Sequence, residues 1–181
     1  MKFSQFAGMM PMCFLACFGS VHSVPVADNP SCLLYTTTTE LDGDGSPHDT
    51  FRHQQLTEVI SCGSGECEVG KEESTSYSVG FTLAADAPPG LEWISGGFEV
   101  SKTWTSGTTY SCTGQPGDKV CVWYNAAYTS YSVREVQHGR CGGTIRSDPF
   151  VMNSPKTNNN GGGFYCVFGD SCRSKNDEYW E

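Results

Sequence analysis

Basic residues are scarce in this sequence: 11 Lys and Arg stand against 20 Asp and Glu over 181 residues, a formal net charge of −9. A surface of that sign repels phosphate backbones and anionic headgroups, which weighs against nucleic-acid binding and electrostatic membrane docking. No Gly-x-Ser-x-Gly elbow occurs, so the common serine-hydrolase arrangement is missing. No His-Glu-x-x-His occurs either, which removes the usual zinc-protease helix. The one near-sequon, Asn29-Pro30-Ser31, is disqualified by its Pro, so N-glycosylation is not expected. Beyond Val21 no run approaches the ~20 apolar residues of a membrane span, and the polar C-terminus lacks a GPI-anchor pattern. Helical periodicity is nearly absent.

What is present begins with a leader. Lys2 supplies an early positive charge, an apolar stretch runs from Phe6 to Val21, and no acid precedes Asp28. Val21 and Ser23 stand at the −3 and −1 places of a cleavage point. This is the pattern of a secretory signal peptide over residues 1–23, cut after Ser23 or slightly later, near Ala27. Removal takes one Lys and no acid from the net charge of −9, leaving −10. Two of the ten cysteines, Cys13 and Cys17, leave with it. Cys32, Cys62, Cys67, Cys112, Cys121, Cys141, Cys166 and Cys172 remain. An even set in an exported chain implies four disulfides, and their pairing does not follow from the count.

The mature part, 24–181, reads as one β domain. Ser76–Leu83 alternates Tyr77, Val79, Phe81 and Leu83 with small polar residues, the period of a half-buried strand. Ile94–Tyr110 reads as extended, with a bend or bulge at Gly96-Gly97, and its part Ile94–Trp104 is the natural partner of Ser74–Leu83. Thr108–Tyr124 reads as a hairpin about Gln115-Pro116-Gly117-Asp118, where Pro presets the first corner and Gly accepts positive φ at the second. That hairpin would place Cys112 opposite Cys121. Cys62 and Cys67 enclose the short turn Gly63–Glu66 and form a second candidate pair. Val122–Val136 reads as one or two strands, and Phe164–Phe168 as a last short one. Leu33–Thr39 and Thr57–Ile60 are weaker strands, with residues 53–60 open to a short helix instead. Asn158–Gly163 reads as a flexible loop. The expected fold is all-β, a small antiparallel sandwich or barrel braced by four disulfides.

Several residues invite chemistry. Asp42-Gly43-Asp44-Gly45-Ser46 resembles the start of a calcium loop, but its twelfth place is His53 rather than Glu. His48 and His53 are too loosely spaced for a metal pair, and no metal or cofactor is expected. Glu92, Glu99 and Glu135 could supply the two carboxyl groups of a glycoside hydrolase, with Trp93, Trp104, Trp123, Tyr124 and Tyr128 as stacking surfaces. Core packing is the competing reading of those aromatics. His138, Glu135 and Arg134 hold the residue types of a ribonuclease site, against the charge of the chain.

Gly97–Val133, GFEVSKTWTSGTTYSCTGQPGDKVCVWYNAAYTSYSV, taken with the leader and eight mature cysteines, resembles the small secreted cysteine-rich proteins of filamentous fungi. That resemblance implies a monomeric extracellular effector or elicitor that acts by recognising a host protein or a cell-wall glycan, without catalysis. Ser74–Leu83 and Ser95–Tyr110 are also similar to the alternating strands of aerolysin-type pore formers. A pore-forming β protein and a small secreted polysaccharide hydrolase are therefore the alternatives.

Overall fold

The computed structural model describes residues 34–82 and 90–181. The leader, its cleavage point, Cys32, and residues 83–89, with Leu83 at the end of the expected strand Ser76–Leu83, lie outside the described residues.

Val120–Val136 is rich in Val and Tyr, and no Gly or Pro interrupts residues 119–138. Such a run favours extended backbone with both faces packed. It folds as one strand of 21 residues, β9 (Lys119–Gly139), roughly 70 Å of chain if straight. Burial along it is almost continuous from Val120 to Tyr131.

Six strands pair with β9, all antiparallel. Along one edge lie β1 (Tyr35–Leu41), β2 (His48–Gln55) and β3 (Ile60–Ser61). Along the other lie β10 (Thr144–Arg146), β11 (Phe150–Pro155) and β12 (Gly163–Phe168). The chain thus descends one edge in three pieces, returns through β9, and lines the opposite edge in three more. Outside these, β6 (Gly80–Thr82) adds to β11 and β13 (Glu178–Trp180) adds to β2.

Two small antiparallel sheets complete the fold: β4 (Cys67–Lys71) with β8 (Tyr110–Gly114), and β5 (Ser76–Ser78) with β7 (Thr103–Thr105). They cover the face of β9 that carries its even-numbered residues over 120–128. Val69 and Cys112 pack on Val120 and Val122, while Tyr77 stacks on Tyr124 with ring centroids 5.2 Å apart. The opposite face is covered further along, where Trp93, Ile94 and Phe98 close over Tyr131, Val133 and Met152. Each large side chain buried in these clusters contributes roughly 1.5–3 kcal/mol. The expected all-β, antiparallel, disulfide-braced fold is what the chain adopts.

The hairpin expectation needs correction. Its turn is present: Asp118 N–H donates to the Gln115 carbonyl at 3.0 Å, and Gly117 takes φ of 87°. Its arms, however, enter different sheets, because both edges of β9 after the turn are occupied by β3 and β12. The expected Cys112–Cys121 pair is therefore replaced. Adjacent residues of a strand face opposite ways. Cys166 stands opposite Val122 and shares its face with Cys112, whereas Cys121 points to the other side. The disulfides are Cys112–Cys166 and Cys121–Cys172, with Cα separations of 5.6 and 5.9 Å. Cys62–Cys67 forms as expected, and Cys141 is also disulfide-bonded.

Other expectations shift as well. Ser76–Leu83 is divided at Val79, whose N–H donates to the Lys102 carbonyl, so β5 and β6 serve different sheets. Ile94–Tyr110 is mostly irregular, with Gly96 and Gly97 at positive φ, yet β7 does pair with β5. Residues 53–55 continue β2, with no helix over 53–60. Phe164–Phe168 is not the last strand, since β13 follows it.

Non-reducing peptide mapping of the mature protein should recover Cys62–Cys67, Cys112–Cys166 and Cys121–Cys172. Closing loops of 54 and 51 residues, the latter two bridges should each be worth about 4 kcal/mol in chemical unfolding. A Cys112–Cys121 peptide would contradict the fold.

Candidate functional site

The residues singled out by sequence do not converge. Asp42 pairs with Arg134, Nε to Oδ1 2.7 Å, and Asp44 accepts the Ser46 N–H, so the calcium-like segment is a turn with its carboxylates engaged. No group of three His, Cys, Asp or Glu suited to a metal ion exists among the described residues. His138 lies 3.5 Å from Glu40 and shares its face of β9 with Arg134. Glu135, between them in sequence, faces the other way and is buried, accepting from Gln137 Nε2 at 2.6 Å. The ribonuclease trio is thus split by strand alternation.

Of the hydrolase carboxylates, Glu92 and Glu135 come near each other. Glu92 N–H donates to Thr39, which stands opposite Glu135, and the Glu135 carboxylate is packed on Gly90. Glu99 lines a different cavity with Asp49, Thr129 and Lys156. Thr129 is six residues from Glu135 on the same strand, about 20 Å away. The five aromatics serve mainly as core: Trp123, Tyr124 and Tyr128 are buried, Trp104 donates to Tyr124 Oη at 2.8 Å, and Trp93 donates to Ser154 at 2.9 Å.

Asn158–Gly163 is more ordered than a flexible loop. Asn159, at φ of 49°, turns inward and is buried. Its Oδ1 accepts the Ala127 N–H at 2.6 Å, and its Nδ2 donates to Tyr124 Oη and to the Asn125 carbonyl. Gly162 follows so closely that a Cβ there would lie 2.3 Å from the Asn125 carbonyl oxygen. Burial raises the pKa of Tyr124, which the indole donor of Trp104 partly offsets.

A second polar cluster gathers where β13 joins β2. His53 is paired in register with Asn125 on one side and Tyr179 on the other. Its ring stacks on Tyr179 at 4.6 Å, with Nδ1 2.8 Å from Tyr165 Oη. Nε2 lies 3.2 Å from the Glu181 carboxylate without hydrogen-bond alignment. Trp123 packs against both tyrosines, and the Arg173 guanidinium lies over the rings of Trp123 and Tyr179. Burial holds the Tyr165 phenol well above its usual pKa, and its hydrogen bond with Tyr179 adds to the effect. Gln55, fully buried, fixes the covering chain by exchanging hydrogen bonds with the Arg173 backbone, and Cys121–Cys172 anchors the preceding residue.

An imidazole between a phenol and a carboxylate has the parts of a proton relay. Here its faces are covered and His53 is only 8% exposed, so the cluster clasps β13 to the sheet. What the clasp presents outward is aromatic. Tyr179 and Trp180 are 38% and 49% exposed and, as neighbours on a strand, emerge on opposite faces. Trp180 rests edge-on against Tyr128 at 4.9 Å, and Arg52 bonds Glu178 beside it. β13 ends the strand order of the large sheet, so its outer edge is unpaired among the described residues. The sequence offered a faint signal for this edge, the Tyr-Trp pair in an otherwise polar tail.

Asn159→Ala leaves the buried Ala127 N–H and Tyr124 Oη short of partners and should cost about 2–4 kcal/mol in chemical unfolding. A loss below ~0.5 kcal/mol would show that the inward Asn is not a strut. No protein-family model, curated protein or solved structure matches the chain, so the reading of the site rests on its geometry.

Proposed function

We propose that this is a secreted, non-enzymatic recognition protein of the effector or elicitor type, engaging a host protein or cell-wall glycan through the β13 edge. The observation that carries this is the exposure of Tyr179 and Trp180 on a strand held by the His53 clasp. Large aromatic faces fixed on a rigid support lose little conformational freedom on binding and make effective anchors. Supporting it are the leader pattern, the disulfides, and an acidic surface that keeps an exported protein apart from membranes and nucleic acids. No helix among the described residues is long and apolar enough to cross a membrane.

Purified protein applied to plant tissue should elicit or suppress an immune output and be retained by host cell-surface material. Trp180→Ser, alone and with Tyr179→Ser, should weaken retention on the order of 30-fold with the disulfides intact. Undiminished response from the double variant overturns the assignment of the surface. Absence of response, together with reducing sugars released from polysaccharides, would replace recognition by hydrolysis.

A further inference from the structure

Lys71 occupies a position where a strand of this kind would normally place an apolar residue. On β4 it shares the inward face with Val69, which is buried in the core beside Val120 and Val122. Lys71 is 8% exposed and forms no ion pair among the described residues. Its Nζ donates instead to the Thr75 hydroxyl. Both side chains line a cavity of about 470 Å³ between β4 and the chain around Leu56, within the size range of small-molecule sites. Lys175 lines the same cavity, as do Glu58, Glu72 and Glu73.

A buried cation without a carboxylate partner is costly, and the amine responds by losing its proton more readily. Burial lowers the Lys71 pKa, Glu73 opposes the effect, and the nearby charge of Lys175 adds to it. Desolvation beside a second cation is the arrangement that activates an amine as a nucleophile. The three glutamates make the cavity unwelcoming to an anion. A neutral carbonyl compound meets no such repulsion.

We propose that the Lys71 amine is a nucleophile that captures small aldehydes entering this cavity as imines. The Nζ lone pair attacks the carbonyl carbon, forming the C–N bond as the carbonyl oxygen becomes a hydroxyl. That oxygen takes up a proton as nitrogen gives one up, and Thr75, bonded to Nζ, is placed to relay it. The hydroxyl then leaves as water with the remaining Nζ proton, as the nitrogen lone pair closes the C=N bond. One water is released per imine, and no oxidant or reductant is consumed.

The test uses the folded, disulfide-intact protein at pH 7 with propanal and cyanoborohydride, which reduces the imine to a stable secondary amine, followed by peptide mass mapping. Lys71 should be labelled roughly tenfold or more faster than the exposed Lys102. Lys71→Arg keeps the charge and should abolish the fast adduct. Lys175→Gln removes a neighbouring positive charge, lets Lys71 hold its proton more tightly, and should slow its labelling. In the urea-unfolded protein the preference should vanish. Lys71 reacting no faster than Lys102 in the folded protein, or a preference that survives unfolding, overturns the proposal.

Discussion

Both edges and most of both faces of a single strand are in use, and the rest of the molecule follows from that constraint. Every backbone donor and acceptor of β9 between Val120 and Tyr131 must be satisfied away from water, because the residues are buried there. The strands on its two edges satisfy them, with Asn159 Oδ1 and Thr57 Oγ1 serving individual N–H groups of Ala127 and Val122. An edge so occupied cannot also accept the arm of a hairpin. The chain before Gln115–Asp118 is therefore driven into a second layer, and β4 and β8 become a lid over the even face.

That division of faces decides where reactive and recognising groups can lie. Side chains pointing into the lid become core, as Tyr77, Tyr124 and Val69 do, and Lys71 is the exception that leaves an amine facing a cavity. Side chains on the other face near Trp123 are covered by Tyr165 and by the short segment after Cys172. Its aromatic and guanidinium groups stack in layers down to His53. The outermost strand inherits what the sheet leaves unpaired, an exposed edge bearing Tyr179 and Trp180. Polar interactions at its margin, such as Arg52 with Glu178, are partly exposed and add little stability beside the packing and the disulfide.

Much of this fold was legible in the sequence, and the failures share a cause. Alternation in Ser76–Leu83, the Pro-Gly turn and the β-branched run after Cys121 all signal extended chain, and strands form in each region. Period two reports that a residue faces in or out, but not which sheet its strand joins. The split at Val79 and the parting of the hairpin arms were hidden for that reason. The disulfides depend on the same missing information, since Cys112 and Cys121 lie on different faces. Lys71, in the polar run Lys71-Glu72-Glu73-Ser74, looks like surface until β4 is paired with β8. Asn159 sits among three asparagines and three following glycines whose composition describes a loop equally well whether one of the asparagines points inward or none does. That disulfides brace the chain was readable, because the parity of cysteine number is independent of topology.

Native-state hydrogen exchange measures the central claim most directly, since it reports the stability of each backbone hydrogen bond separately. If β9 is the spine, amides from Val120 to Val133 exchange slowest, by global unfolding alone, and share one free energy of opening. Amides of β13, β5 and β7 exchange earlier, through local opening. A β9 whose amides exchange as fast as those of the small sheets, or in two blocks of unequal stability, would contradict the account.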